Sequence, residues 1–188
     1  MACLKFVQNC WSSTIAKGAS LVHLGSCLTQ HLLSGHDGNV LSSLKLLAAR
    51  PGYLKTSLPI EKRHLNNHKA MHGGVLLSLT DTVTSLALST QGIPAPTGVS
   101  INISCEFVRP GGTESSELIG IGEVVQRGKT LAYTRVSFYT PEPESKLVAF
   151  GSHTKHMGKN VPVTKFSEDG ETELGLESHD GRKDRAKL

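Results

Sequence analysis

The chain has four cysteines, Cys3, Cys10, Cys27 and Cys105, but no CxxC pair, and three of the four fall within the first 27 residues. That spacing is neither a disulfide framework nor a zinc set, and it suits a reducing compartment. No other metal-ligand spacing is present, so neither a metal nor another cofactor is expected. Aromatic residues make up only 5% of the chain, and none are interleaved with the scattered lysines and arginines behind the net charge of +4. That argues against a nucleic-acid surface. No run of about 18 apolar residues occurs, which leaves no candidate for a membrane-spanning helix. A GxSxG sequence is missing too, which disfavours the nucleophile elbow of α/β-hydrolases. Finally, no Asp or Glu precedes Asp37 and no Arg precedes Arg50. Lack of acid leans toward a mitochondrial presequence while lack of Arg argues against one, so the cytoplasm and the mitochondrion both stay open.

What is there suits one domain with a sizeable core, since the chain has 188 residues. It is organised around residues 72–88, which the spacing predicts as one long helix. Gly73 and Gly74 open it, and Gln91-Gly92-Ile93-Pro94 closes it. Val75, Leu76, Leu79, Val83, Leu86 and Ala87 form one apolar stripe, and Leu77, Thr84 and Leu88 form a second on the other side. Two stripes predict a helix buried nearly all round. Asp81 sits within the second stripe and is the only carboxylate between Glu61 and Glu106. A carboxylate there must be hydrogen-bonded to nearby Ser or Thr, paired, or used in chemistry.

Strands are expected before this helix over residues 44–49 and 53–60, and after it over 99–107, 118–125, 130–139 and 146–157. In the first of the later strands, Val99, Ile101, Ile103, Cys105 and Phe107 alternate with polar residues, as in a half-buried strand. Gln126-Arg127-Gly128-Lys129 reads as a hairpin turn. Four consecutive strands joined by short connections predict an antiparallel sheet with the helix against it, an α+β layer architecture. Residues 1–39 read as an N-terminal extension with a short helix over 26–34, and the first 36 are expected to be dispensable for activity. Residues 40–162 read as the domain, and 163–188 as a charged, disordered tail.

The order of elements, together with Asn66, His72-Gly73-Gly74, Asp81, Gly98-Val99-Ser100, Gly128-Lys129-Thr130-Leu131-Ala132 and Gly151-Ser152-His153-Thr154-Lys155-His156, resembles the hotdog-fold acyl-CoA thioesterases, in particular their acyl-CoA thioesterase 13 and PaaI-type groups. The resemblance covers roughly residues 44–159. It implies a curved antiparallel β-sheet wrapped around one long central helix. It also implies hydrolysis of fatty or aryl acyl-CoA, and self-association as a homodimer or a dimer of dimers. A non-catalytic acyl-CoA or lipid-binding module on the same fold is the other reading. This chain departs from the family's small or Gly-rich loop at His68 and Lys69, which are bulkier and more basic.

Thioester hydrolysis needs donors for a developing oxyanion, a base for water and a grip on the substrate. A helix N-terminus offers unpaired N–H groups, so the amide of Gly73 or Gly74 suits the carbonyl. His72 either holds the thioester or bonds to the backbone at the helix start. By resemblance, Asn66 positions the carbonyl or water, though Asn also suits a turn. Asp81 becomes the general base, or else the nucleophile, with a pKa raised by burial. Ser100 orients water, or is an ordinary polar-face serine. Arg127, Lys129, Lys155 and His156 are the candidates for the CoA phosphates, with Gly74 beside the substrate. Gly73 and Asp81 are eight residues apart, about 12 Å along a helix, so one chain cannot bring both to one carbonyl. A two-fold dimer can.

Overall fold

A computed structural model describes residues 1–17 and 35–176, together with the paired backbone of 20–21 and 32–33. Most of the expected elements form within two residues of their predicted ends. The main sheet begins with β3 (Lys45–Arg50) and β4 (Tyr53–Pro59), joined by a tight turn at Gly52, whose φ is +79°. The long helix is α3 (Gly73–Ser89), followed by β5 (Val99–Phe107), β6 (Glu117–Arg127), β7 (Leu131–Tyr139) and β8 (Leu147–His156). All six strands make one antiparallel sheet in the order β3-β4-β6-β7-β8-β5. The sheet is therefore not a simple run of neighbours. β5 pairs with β8 and leaves β6 to pair with β4.

That crossing makes β5 an edge, which corrects its reading as half-buried. Val99, Ile101 and Phe107 are 71%, 58% and 58% exposed in the single chain. Among the described residues Val99 and Ile101 stay largely bare, whereas Phe107, beyond a register shift between Ser100 and Asn102, lies over the start of α3.

α3 lies across the sheet and touches β4 through β8. Val75, Leu76, Leu79, Val83, Leu86, Ala87 and Leu88 are all buried. Two glycines let it come close. A Cβ on Gly122 would come within 2.9 Å of Val83 Cγ1, and one on Gly151 within 2.9 Å of Thr80 Cγ2. Truncating a fully buried leucine such as Leu79 would cost about 2–5 kcal/mol. The second stripe is only partly buried: Thr84 and Leu88 are enclosed, whereas Leu77 and Asp81 are exposed.

The ends of the chain depart furthest from expectation. Residues 2–17 form α1 (Ala2–Lys17), which packs on the domain. Cys3, Leu4, Val7, Cys10 and Trp11 make a buried stripe at helical spacing. Further on, α2 (His36–Val40) lies against both α1 and α3. Between these helices β1 (Ser20–Leu21) pairs with β2 (Leu32–Leu33), so the helix expected over 26–34 is not formed at Leu32 and Leu33, and the rest of that prediction lies outside the described residues. The expected disordered tail is placed as far as residue 176. Thr164 and Phe166 are buried, the Phe166 ring sits 5.7 Å from that of Phe6, and the Ala2 and Cys3 amides donate to the Glu171 and Gly170 carbonyls. Residues 177–188 lie outside the described part.

Candidate active site

The start of α3 is built from a loop and a cap. Asn66 Oδ1 accepts from the His68 and Ala70 amides at 2.8 and 3.2 Å. Backbone bonds from Asn66 N to Ala70 O and from Lys69 N to Asn66 O close the same turn. One end of the Asn66 side chain thus holds the loop, as a turn residue would. Its Nδ2 has no acceptor among the described residues, which leaves two donor hydrogens. His68 and Lys69 point to solvent, so their bulk does not displace Asn66.

His72 caps the helix. Its Nδ1 accepts from the Gly74 amide at 2.8 Å, which is the backbone-bonding alternative for this residue. That bond engages the Gly74 N–H, and the amides of Val75 and Leu76 donate to His72 O at 2.9 and 3.4 Å. Of the first four amides of α3, only that of Gly73 has no acceptor among the described residues. Of the two glycines, Gly73 is the one whose amide stays unpaired among the described residues. Phe107 packs over it so closely that a Cβ would lie 3.1 Å from the ring. Asn66, Gly73, Leu76, Phe107 and Arg109 line one open cavity of about 440 Å³.

Asp81 belongs to a different group of residues. It is 52% exposed in the single chain, which corrects the expectation of a buried carboxylate. Ser85 Oγ donates to Asp81 Oδ1 at 3.2 Å, and Lys155 Nζ donates to Ser85 Oγ at 2.6 Å while lying 4.0 Å from Asp81 Oδ1. Lys155 is buried, and burial lowers its pKa against the opposing pull of Asp81. Engaged with α3 in this way, it leaves the set of residues open to a phosphate.

His153 joins this group, and the sequence reading gave it no role. Its two nitrogens reach Ser100 Oγ at 2.9 Å (Nε2) and Thr84 Oγ1 at 2.7 Å (Nδ1), with Asp81 Oδ1 at 3.7 Å from Nδ1. Burial pushes its pKa down to about 4, with Lys155 adding to the effect and Asp81 opposing it. The imidazole is therefore neutral near pH 7, and 3.7 Å is too long for a hydrogen bond. Thr84 Oγ1 donates to Thr80 O at 2.6 Å, so its single proton is already placed. The tautomer that satisfies every partner has Nδ1–H donating to Thr84 and Nε2 accepting from the Ser100 hydroxyl. Ser100 then keeps lone pairs for a water. The signal that could have found His153 is its register: it lies two residues from Lys155 on β8, so the two share the face toward α3.

The cavity beside Asp81, about 190 Å³, is also lined by Ser85 and Lys155, and it is not the one lined by Asn66 and Gly73. Arg127, Lys129 and His156 are exposed and belong to neither group. Arg127 Nε donates to Gln91 Oε1 at 2.7 Å, Lys129 sits in the β6–β7 turn, and His156 ends β8 between Val99 and Leu131.

Comparison with known proteins agrees with this fold. Residues 68–146 match the thioesterase superfamily. Human acyl-coenzyme A thioesterase 13 is 34% identical over 119 residues, which is 63% of this chain and 83% of that protein. The acyl-coenzyme A thioesterase PaaI of Escherichia coli is 29% identical over 86 residues, 46% of this chain and 59% of that protein. Among solved structures, zebrafish thioesterase superfamily member 2 superposes with a TM-score of 0.59 at 28% identity, covering 66% of this chain and 88% of that one.

Proposed function

Since the chain belongs to the thioesterase superfamily, we propose that it hydrolyses acyl-CoA thioesters to a free fatty or aryl acid and CoA. Relatives named as acyl-coenzyme A thioesterases support this reading. So does the observation that carries it: among the described residues, one unpaired helix amide and one unpaired side-chain amide line one cavity, and elsewhere one histidine ring lies within 3.7 Å of both a carboxylate and a serine hydroxyl.

The steps follow from those groups. The Gly73 N–H and Asn66 Nδ2 donate to the thioester oxygen and stabilise the negative charge it gains as water attacks. The positive end of the α3 dipole adds to this. Asp81 takes the proton from that water as general base, and Ser100, held by His153, accepts the water's other hydrogen and aims its lone pair at the carbonyl carbon. Collapse of the tetrahedral intermediate breaks the C–S bond, and the proton on Asp81 passes to the departing thiolate. Arg127, Lys129 and His156 remain exposed for the CoA phosphates, and Arg109 stands at the rim of the Gly73 cavity.

The two groups must come from two chains. About 12 Å of helix separates Gly73 from Asp81, and each lines its own cavity. The proposed unit is a two-fold homodimer in which Asn66 and Gly73 of one chain face Asp81 and Ser100 of the other. The exposed β5 edge, with its bare apolar side chains and with Ser100 on the same strand, is the surface suited to that pairing.

The test is thiol release from short, long and aryl acyl-CoAs, with Asp81→Asn as control. Turnover that the variant lacks is the expected result. A folded wild-type protein that binds these substrates but releases no thiol would leave the binding module as the function.

A further inference from the structure

The cavity beside Asp81 and Lys155 has two walls that come from distant parts of the chain. Trp11 and Thr14 of α1 form one, and residues 95–98, which follow α3, form the other. A third stretch, residues 160–174, does not line the cavity and yet grips both walls.

On the α3 side its bonds run to the segment around residues 92–96. Asn160 Nδ2 donates to Pro96 O and Val163 N donates to Gly92 O, both at 2.8 Å. Thr164 O lies directly against Gly92, where a Cβ would collide with it. On the α1 side, the first two amides of the helix, those of Ala2 and Cys3, donate to Glu171 O and Gly170 O at 3.2 and 3.0 Å. A helix start leaves such amides without partners of its own, and α1 has no acid in its first turn to serve them. Phe166 is buried against Phe6. Phe6 and Trp11 are five residues apart, about 140° around a helix. One edge of α1 is thus held by Phe166 while another faces the cavity.

The stretch is also tied to itself. Leu174 N donates to Lys165 O, Ser167 N to Thr172 O and Gly170 N to Ser167 O at 2.9, 3.0 and 2.8 Å, and Thr164 Oγ1 donates to Glu173 Oε1 at 2.6 Å. A segment bonded in this way seats or leaves as one unit. Both it and α1 lie outside the 68–146 match, so their coupling belongs to the two ends of this chain.

We propose that residues 160–174 are a strap that ties α1 to the segment after α3 and thereby holds Trp11 in the wall of the Asp81 cavity. Unseating the strap loosens α1 and opens that cavity, while α3 and the sheet stay folded. Phe166 and Gly170 are positioning residues in this arrangement, since neither lines the cavity.

Trp11 is the single tryptophan of the chain, so its fluorescence reports the wall directly. The experiment compares the full-length protein with Gly170→Val, Phe166→Ala and, as a control in the same turn, Glu168→Ala, whose side chain is exposed. A Cβ at Gly170 would lie 2.6 Å from Ala49 O, and the φ of +77° there strains a branched residue further. Phe166→Ala removes the ring seat without that clash. Trp11 is 7% exposed with the strap seated. In both strap variants its emission should move to longer wavelength and its quenching by acrylamide should rise. Hydrogen exchange of the α1 amides should speed up by about tenfold or more, the worth of one or two backbone hydrogen bonds. The amides of β7, inside the sheet, should keep their protection, and Glu168→Ala should match the wild type. Unchanged Trp11 emission and α1 exchange in both variants overturn the strap. So does exchange that rises equally in α1 and β7, because the whole domain would then be loosened. Neither readout needs turnover, so a failure of the strap leaves the thioesterase reading standing, and a protein that releases no thiol leaves the strap standing.

Discussion

The two ends of the proposed site on α3 are assembled by different means. At Gly73 the groups are backbone and loop: an amide at a helix start, a cap at the preceding residue and an asparagine whose own turn spans five residues. At Asp81 they are side chains from three distant elements, joined through His153 and Lys155 of β8 and Ser100 of β5. The first group is open and its hydrogen bonds are local, although Phe107 of β5 packs over Gly73. The second exists only once the sheet has carried β5 past β6 and β7 to lie beside β8. Asp81 itself accepts one local hydrogen bond, from Ser85, while the long-range contacts fix His153, Lys155 and Ser100 around it.

The sharpest way to separate the two ends is to remove the proposed base. Asp81→Ala should lower kcat by about 10²–10⁴. Its melting temperature should change little, because Asp81 is half exposed and its neighbours lie at hydrogen-bonding distance or beyond. Turnover near the wild-type value would make Asp81 a surface residue. At the other end, Asn66→Ala confounds two losses, since it removes both the Nδ2 donor and the acceptor that holds the loop. Asn66→Asp keeps the acceptor for the His68 and Ala70 amides, removes the donor and adds a negative charge beside the proposed oxyanion. Loss of one oxyanion donor should cost about 10² or more in kcat. Asn66→Asp should reach that value with unaltered thermal stability, and an active Asn66→Asp would show that the side chain serves the loop alone.

The contrast also accounts for how much could be read in advance. The α3 start, its glycines, Asn66 and the strand pattern are local, so spacing and turn chemistry revealed them. His153 was missed because its partners lie 53 and 69 residues away. Lys155 was placed among phosphate ligands because charge is visible in a sequence and burial is not. Asp81 was expected to be buried because its stripe is apolar, but Leu77 on the same stripe, and Val99 and Ile101 of β5, stay exposed in one chain. The stripe Cys3, Leu4, Val7, Cys10, Trp11 was legible at helical spacing, and the missing acids drew attention to targeting instead.

Acid should act on the Asp81 end. The folded His153 pKa of about 4 lies below the ordinary value of 6.5. The folded state therefore resists a proton that the unfolded chain accepts. Stability from this group is complete above about pH 6.5 and declines as pH falls toward 4, by on the order of 3 kcal/mol in all. Urea unfolding at pH 7, 5.5 and 4 measures it, and in His153→Gln that part of the decline should be missing. An identical decline in the variant would place the acid sensitivity elsewhere.

The smallest effect tests whether the two ends meet across a dimer. Asp81→Ala and Asn66→Asp chains, each nearly inactive alone, are unfolded together in equal amounts and refolded. Random pairing gives about half mixed dimers. In each mixed dimer one site carries both substitutions, while the other takes Asn66 and Gly73 from the Asp81→Ala chain and Asp81 and Ser100 from the Asn66→Asp chain. One intact site in half of the dimers is about a quarter of wild-type activity, a fourfold deficit. A site confined to one chain gives nothing, since every chain carries one lesion. The quarter should vanish if β5 is blocked by a charge, for example Ile101→Glu, because that face then cannot be buried against a partner. Mixed dimers that form, shown by differently tagged chains purifying together, and yet remain as inactive as their parents would confine the site to one chain and refute the shared arrangement.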